Sequence, residues 1–136
     1  MATVVSSAGE LPLKNQQDIV LGRQAVRRLA LEQGFSLVDQ TKLVTAASEL
    51  ARNALIYGGG GELKWETLVD GGRRGVRLVF EDHGPGIPDI EQAMTDGWTS
   101  GNGLGLGLTG ARRLVNEFEL QTTVGVGTRV TITRWK

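Results

Sequence analysis

The stretch LKWETLVDGGRRGVRLVFED, from Leu63 to Asp82, reads as two β-strands joined by a tight turn. Leu63, Trp65, Thr67 and Val69 alternate with Lys64, Glu66 and Leu68, the period of two expected of a pleated strand with one buried face. Asp70-Gly71-Gly72 supplies residues that accept positive φ, as the primed turns of short hairpins require. On the return strand Val76, Leu78, Phe80 and Asp82 share a face. An aspartate thus falls in register with three core-facing apolar side chains, where a charge without a partner is costly.

Outward from this hairpin the pattern turns helical on one side and glycine-rich on the other. A short apolar stretch at Thr3 to Ser6 predicts a strand. Asn15 to Gln33 predicts a helix, with Ile19, Val26, Leu29 and Ala30 at helical spacing and Gly34 as its stop. A second helix, capped by Ser36 or Asp39, carries Leu43, Val44, Ala47, Leu50, Ala51, Ala54 and Leu55 and ends at Gly58 to Gly61. Beyond the hairpin, Pro85 and Pro88 break the chain, and Asp89 to Asp96 suits a short helical segment. A glycine-rich stretch spans Gly97 to Gly110, and Leu108, Ala111, Leu114, Val115 and Phe118 predict a third long helix. Strands at Leu120 to Val124 and Thr128 to Trp135, joined by Gly125-Val126-Gly127, close the chain. Helices segregated from hairpin strands predict an α+β fold: a two-layer α/β sandwich, with helices on one face of a mixed, mainly antiparallel sheet. The 136 residues fit a single domain over 1–136.

Composition narrows the function. Twenty of the residues are glycine and only three proline, while 40% are hydrophobic; this excludes collagen-like and disordered classes. The glycines are uneven, with three in the first 57 residues, seven from Gly58 to Gly75 and eight from Gly84 to Gly110. Fifteen basic and fifteen acidic side chains cancel, so the basic footprint of a nucleic-acid binder is missing. The absence of cysteine and the single histidine, His83, exclude disulfides, a catalytic thiol and a histidine-rich metal cluster. Met1 to Gly9 has no signal-peptide pattern, and no run reaches 18 apolar residues. A cytoplasmic protein without a membrane span is expected.

Four constellations carry chemistry. Glu49 and Asn53, at i and i+4 on the second helix, share a face. A carboxylate beside a neutral oxygen donor suits a magnesium–phosphate site, although an exposed polar pair reads the same way. In Glu81-Asp82-His83-Gly84-Pro85-Gly86, the strand delivers Asp82 inward and the glycines allow close backbone approach to a ligand. A partly buried carboxylate there suits an exocyclic amine such as adenine's; a strand-end turn with a capping aspartate is the alternative. Ser100-Gly101-Asn102-Gly103-Leu104-Gly105-Leu106-Gly107-Leu108 leads into a helix, and exposed amides at a helix N-terminus cradle phosphates. No G-K-[ST] pattern follows, and no strand leads directly into the glycines, so neither a P-loop nor a Rossmann site is predicted. Gly127-Thr128 opens the last strand.

Taken in order, Glu49-x-x-x-Asn53, Asp82-x-Gly84-x-Gly86, Gly103-x-Gly105-x-Gly107 and Gly127-Thr128 resemble the N, G1, G2 and G3 boxes of the GHKL superfamily. Its Bergerat ATP-binding fold is shared by gyrase, Hsp90, histidine kinases and MutL. The resemblance implies ATP held between the helical layer and a glycine-rich lid. It implies Mg²⁺ on Asn53, the adenine amine on Asp82, and a base pocket shaped by Gly84 and Gly86. Phosphate contacts would come from the Gly101, Gly103, Leu104, Gly105, Leu106 and Gly107 loop, Thr128 would support Asp82, and Glu49 would be the general base.

The single histidine, His83, lies inside the loop that the resemblance gives to the nucleotide and not on a separate dimerisation helix, which argues against a two-component histidine kinase. The length leaves no room for the second domain of the gyrase, Hsp90 and MutL relatives. Ser48 to Asn53, Glu81 to Ile90 and Asp96 to Gly105 resemble the RsbT-like serine/threonine switch kinases of stressosome signalling. That resemblance implies phosphorylation of a STAS-domain antagonist, followed by activation of a PP2C-type phosphatase or another output regulator. The other class is a nucleotide-dependent binding module, such as an anti-sigma factor, against which Glu49 argues because binding alone needs no base. Trp98 and Trp135 are open between partner anchors and packing; His83 has no assigned role.

Overall fold

The computed structural model describes residues 3–95 and 104–136, with side chains given outside 104–106. The elements run β1 (Val4–Leu13), α1 (Gln16–Glu32), α2 (Leu37–Ile56), β2 (Gly61–Asp70), β3 (Arg73–Asp82), α3 (Ile90–Ala93), α4 (Leu104–Arg113), β4 (Glu117–Thr123) and β5 (Gly127–Trp135). The strands form one sheet in the order β1-β2-β3-β5-β4, and every neighbouring pair is antiparallel. The hairpin foreseen from Leu63 to Asp82 lies at its centre, with Asp70 opposite Arg73 and Gly61 opposite Asp82.

Local chemistry sets the helix ends. Asn15 Oδ1 accepts the Asp18 amide at 2.9 Å, and Asp18 Oδ2 accepts the Lys14 amide at 2.8 Å, so donors left free at the start of α1 are satisfied. Ser36, not Asp39, caps α2: the Asp39 amide donates to Ser36 Oγ at 3.1 Å. The buried Gln33 side chain donates from Nε2 to the carbonyls of Leu68 (3.0 Å) and Gly75 (2.8 Å), which ties the end of α1 to two neighbouring strands. At the same end of the sheet, Arg134 on β5 reaches Asp39 Oδ1 at 2.6 Å and the Leu114 carbonyl at 2.8 Å. The Arg134 hydrogen bond holds the Asp39 carboxyl below its usual range.

The core is the apolar stripe of α1 and α2 laid on the inner sheet face. Val26, Leu43 and Leu50 meet Leu63, Leu78 and Ile132, all essentially without exposure; such a side chain contributes about 1.5–3 kcal/mol on burial. The outer sheet face carries Arg77–Glu66 and Arg129–Glu81 ion pairs at 3.2 and 3.1 Å, which explains the polar phase of the alternation. Trp135 is buried over Gly75, with its indole N–H on Glu117 Oε2 at 2.7 Å. It is therefore a packing residue.

Several element boundaries differ from expectation. β1 continues past Ser6 to Leu13, through Gly9 and Pro12, because an edge strand tolerates a residue without an N–H. The third helix begins four residues earlier than Leu108 and stops at Arg113, so Phe118 belongs to β4. Asn116 makes the break: its amide donates to Thr133 O at 3.0 Å, and its Oδ1 accepts the Trp135 amide at 2.7 Å. Phe118, Leu120 and Thr122 then alternate at a strand's period.

Candidate active site

The end of α2, the end of β3 and the start of β5 enclose a cleft of about 290 Å³, near the lower end of the range for small-molecule pockets. Its floor is apolar, from Leu50, Ala54, Phe80, Leu108 and Val130, and its polar groups are Asn53, Tyr57, Asp82 and Thr128. A planar ring fits such a lining, with orientation left to a few hydrogen-bonding groups.

Asp82 sits where the hairpin pattern placed it, partly buried at the end of β3 and opposite Thr128 on β5. Burial pushes its carboxyl above the usual value, although the backbone amides of Gly84 and Thr128 and the nearby His83 pull the other way. The Gly84 amide donates to Asp82 Oδ1 at 3.0 Å, and Oδ2 lies on the side of Gly58, which lines the cleft.

Gly58 does more than end α2, the one role that the sequence pattern gives Gly58 to Gly61. It lines the cleft against Asp82, and an added Cβ would overlap that side chain, falling 2.6 Å from Oδ2. Gly84 backs onto Gly58 in turn, with room for no Cβ between them. Gly71 and Gly72, by contrast, meet nothing within 4 Å and are a plain turn. Gly86, expected to shape the pocket, takes φ +77 and lines it.

Asn53 lines the cleft, and its buried Nδ2 has no hydrogen-bond partner among the described residues. Gly107, in the first half of α4, lies against the Asn53 amide, where a Cβ would fall 2.9 Å from Nδ2. The orphaned Nδ2 is a donor suited to a phosphate oxygen, whereas Oδ1 of the same amide is the atom that could give Mg²⁺ one oxygen ligand, the remaining ligands usually being waters and phosphates. Glu49 does not line this cleft. It opens on the groove between α1 and α2 beside Ser48, Arg23 and Arg27, so the two residues of the i, i+4 pair serve adjoining surfaces.

Leu104, Gly105 and Gly107 begin α4 rather than a loop; the amides of a helix's first turn have no intrahelical acceptor and face the positive end of its dipole. Gly101, Gly103 and Trp98 lie outside the described residues. His83 is 75% exposed, 3.6 Å from Glu62. The sequence reading missed Thr122, whose hydroxyl is 2.9 Å from that of Thr128; only its inward register on the closing strand could have suggested it.

A model of the histidine kinase-, DNA gyrase B-, and HSP90-like ATPase family matches residues 38–136. The chain belongs to this family. It is 45% identical over 123 residues to the serine/threonine-protein kinase RsbT of Bacillus subtilis, covering 90% of this chain and 92% of that one. It is 30% identical over 125 residues to the anti-sigma F factor of Clostridium novyi, covering 87% and 86%. Among solved structures, the RsbU and RsbW domains of a Mycobacterium tuberculosis protein share its fold. The TM-score is 0.66 over 96% of this chain and 33% of that longer one, at 21% identity. These likenesses bear out the expected Bergerat fold and the expected serine/threonine kinase among partner-switching regulators.

Proposed function

We propose that this protein transfers the γ-phosphoryl group of ATP to a serine or threonine of a STAS-domain antagonist in the cytoplasm. On release it binds and activates a PP2C-type phosphatase or another output regulator. The observation that carries the reading is the partly buried Asp82 carboxylate at the end of an apolar cleft, in a chain 45% identical to a serine/threonine-protein kinase.

Asp82 accepts the adenine amine, and the floor of Leu50, Phe80 and Val130 receives the ring. Thr128 supports Asp82 from β5, while Gly84 and Gly86 shape the loop beside the base. Asn53 would hold Mg²⁺, which when bound supplies charge neutralisation on the phosphates. The first-turn amides of α4, at Leu104, Gly105 and Leu106, donate to phosphate oxygens, Gly107 lets the helix approach them closely, and Gly101 and Gly103 aid from before it. Glu49 orients the acceptor hydroxyl and takes its proton as the P–O bond to that oxygen forms and the bond to the β-phosphate oxygen breaks. The position of Glu49 on the α1–α2 groove supports an acceptor that arrives from the helical side rather than through the nucleotide cleft. Arg23, Arg27 and Arg28 along that groove favour an acidic surface on the incoming protein.

The likeness to an anti-sigma F factor gives the second reading, a nucleotide-dependent binding module. Incubation with Mg-ATP and the STAS proteins encoded near it separates the two. Phosphoserine or phosphothreonine detected by mass spectrometry on one of them supports the kinase. ATP binding without transfer to any of them supports the binding module.

A further inference from the structure

The loop after β3 forms one wall of the cleft through Pro85, Gly86 and Ile87, yet it belongs to no helix or strand. Its shape is borrowed from the β4–β5 hairpin. The Ile87 amide donates to Thr122 Oγ1 at 2.9 Å, and the Gly125 amide donates to the Pro85 carbonyl at 2.9 Å. Gly86 rests on the Thr123 carbonyl, where a Cβ would fall 2.6 Å from the oxygen.

Thr122 is also paired with Thr128 across β4 and β5; their hydroxyl oxygens are 2.9 Å apart, and Thr122 Oγ1 is 3.2 Å from Gly127 O. A threonine hydroxyl has one proton and two lone pairs. The Ile87 amide occupies one lone pair. With the proton on Gly127 O, the second lone pair receives the Thr128 proton, and Thr128 then turns an acceptor toward the cleft beside Asp82. With the proton on Thr128, that residue turns a donor there instead. In either arrangement Thr122 is the partner of Thr128, yet it does not itself line the cleft.

We propose that Thr122 is a positioning residue for the base end of the nucleotide: one hydroxyl holds the Ile87 wall and sets the hydrogen-bonding sense of Thr128. The inference rests on the nucleotide reading of the cleft. Thr122 lies on an edge strand and is partly exposed, so Thr122→Val keeps shape while removing the hydroxyl, and Thr122→Ala serves as a second variant.

The test is calorimetric titration of the full chain with Mg-ATP and Mg-ADP, alongside steady-state transfer kinetics and thermal unfolding. Thr122→Val and Thr122→Ala are expected to weaken ATP and ADP by the same factor, about tenfold. They raise KM for ATP and leave kcat within about twofold, because the transferred phosphate lies at the other end. Thr122→Ser restores binding to within about twofold. Wild-type affinity in both hydroxyl-free variants overturns the role, as does a loss that Thr122→Ser fails to recover. A wild-type chain that binds neither nucleotide overturns the nucleotide reading as well, so the two failures are distinct.

Discussion

Replacing Gly58 by alanine tests how the cleft is built. The backbone of Gly58 is not left-handed, so conformation does not exclude a side chain; space does. The added Cβ would overlap Cβ and Cγ of Asp82 and lie 2.6 Å from Oδ2. Retreat is blocked on the other side, since Gly84 leaves no room for a Cβ between itself and Gly58. Asp82 Cβ is fixed to the strand and cannot swing away as the tip of a long side chain would. Either the end of α2 or the end of β3 must move, and overpacking of this kind costs about 1–3 kcal/mol. Displacing Asp82 also removes a hydrogen bond to a charged acceptor, worth about 1.5–3 kcal/mol, which corresponds to a loss of about 10- to 150-fold in ATP affinity. Gly72→Ala is the matched control, because nothing lies within 4 Å of that position and its backbone is not left-handed. It should shift stability by less than about 1 kcal/mol and leave ATP affinity unchanged. Urea midpoints and calorimetric titration read both quantities. A Gly58→Ala chain that matches Gly72→Ala in both would refute the close packing of α2 on Asp82.

Two further outcomes follow from the site. Glu49→Gln should keep ATP affinity within about twofold, because the side chain lies off the cleft. Transfer to the acceptor protein, followed by intact mass, should slow by about a hundredfold or more; normal transfer would remove Glu49 from its role. The raised Asp82 carboxyl makes ATP affinity fall as pH drops through its folded-state value, because protonation replaces an acceptor with a donor. Its effect on the ligand-free fold has the opposite sign. The folded state binds that proton more tightly than the unfolded chain, so the Asp82 contribution to stability declines as pH rises from the ordinary aspartate value through the raised folded one. Titration with ATP across this range should show the dependence in the wild type and not in Asp82→Asn.

Much of the architecture was legible because periodicity is a local signal. The hairpin announced itself through alternation on both sides of Asp70-Gly71-Gly72, and the inward place of Asp82 followed from counting residues back along β3. The second half of β1 was hidden by Gly9 and Pro12, whose tolerance depends on the strand's being at the sheet edge. The end of α4 was hidden because Leu114, Val115 and Phe118 continue the helical spacing, whereas Asn116 breaks it through bonds to β5. At the site, Gly58 and Thr122 were invisible for the same reason. Each acts on a partner distant in sequence, Asp82 in one case and Ile87 in the other. The separation of Glu49 from the cleft depends on how α1 packs against α2, which a spacing of four residues does not specify.

The central claim, that Asp82 reads the exocyclic amine of adenine, is tested most directly by comparing Mg-ATP with Mg-inosine triphosphate on the wild-type chain by calorimetry. Inosine presents a carbonyl oxygen where adenine presents an amine, so it sets an acceptor against the Asp82 carboxylate. The account expects inosine triphosphate to bind at least about tenfold more weakly than ATP; equal affinities would contradict it.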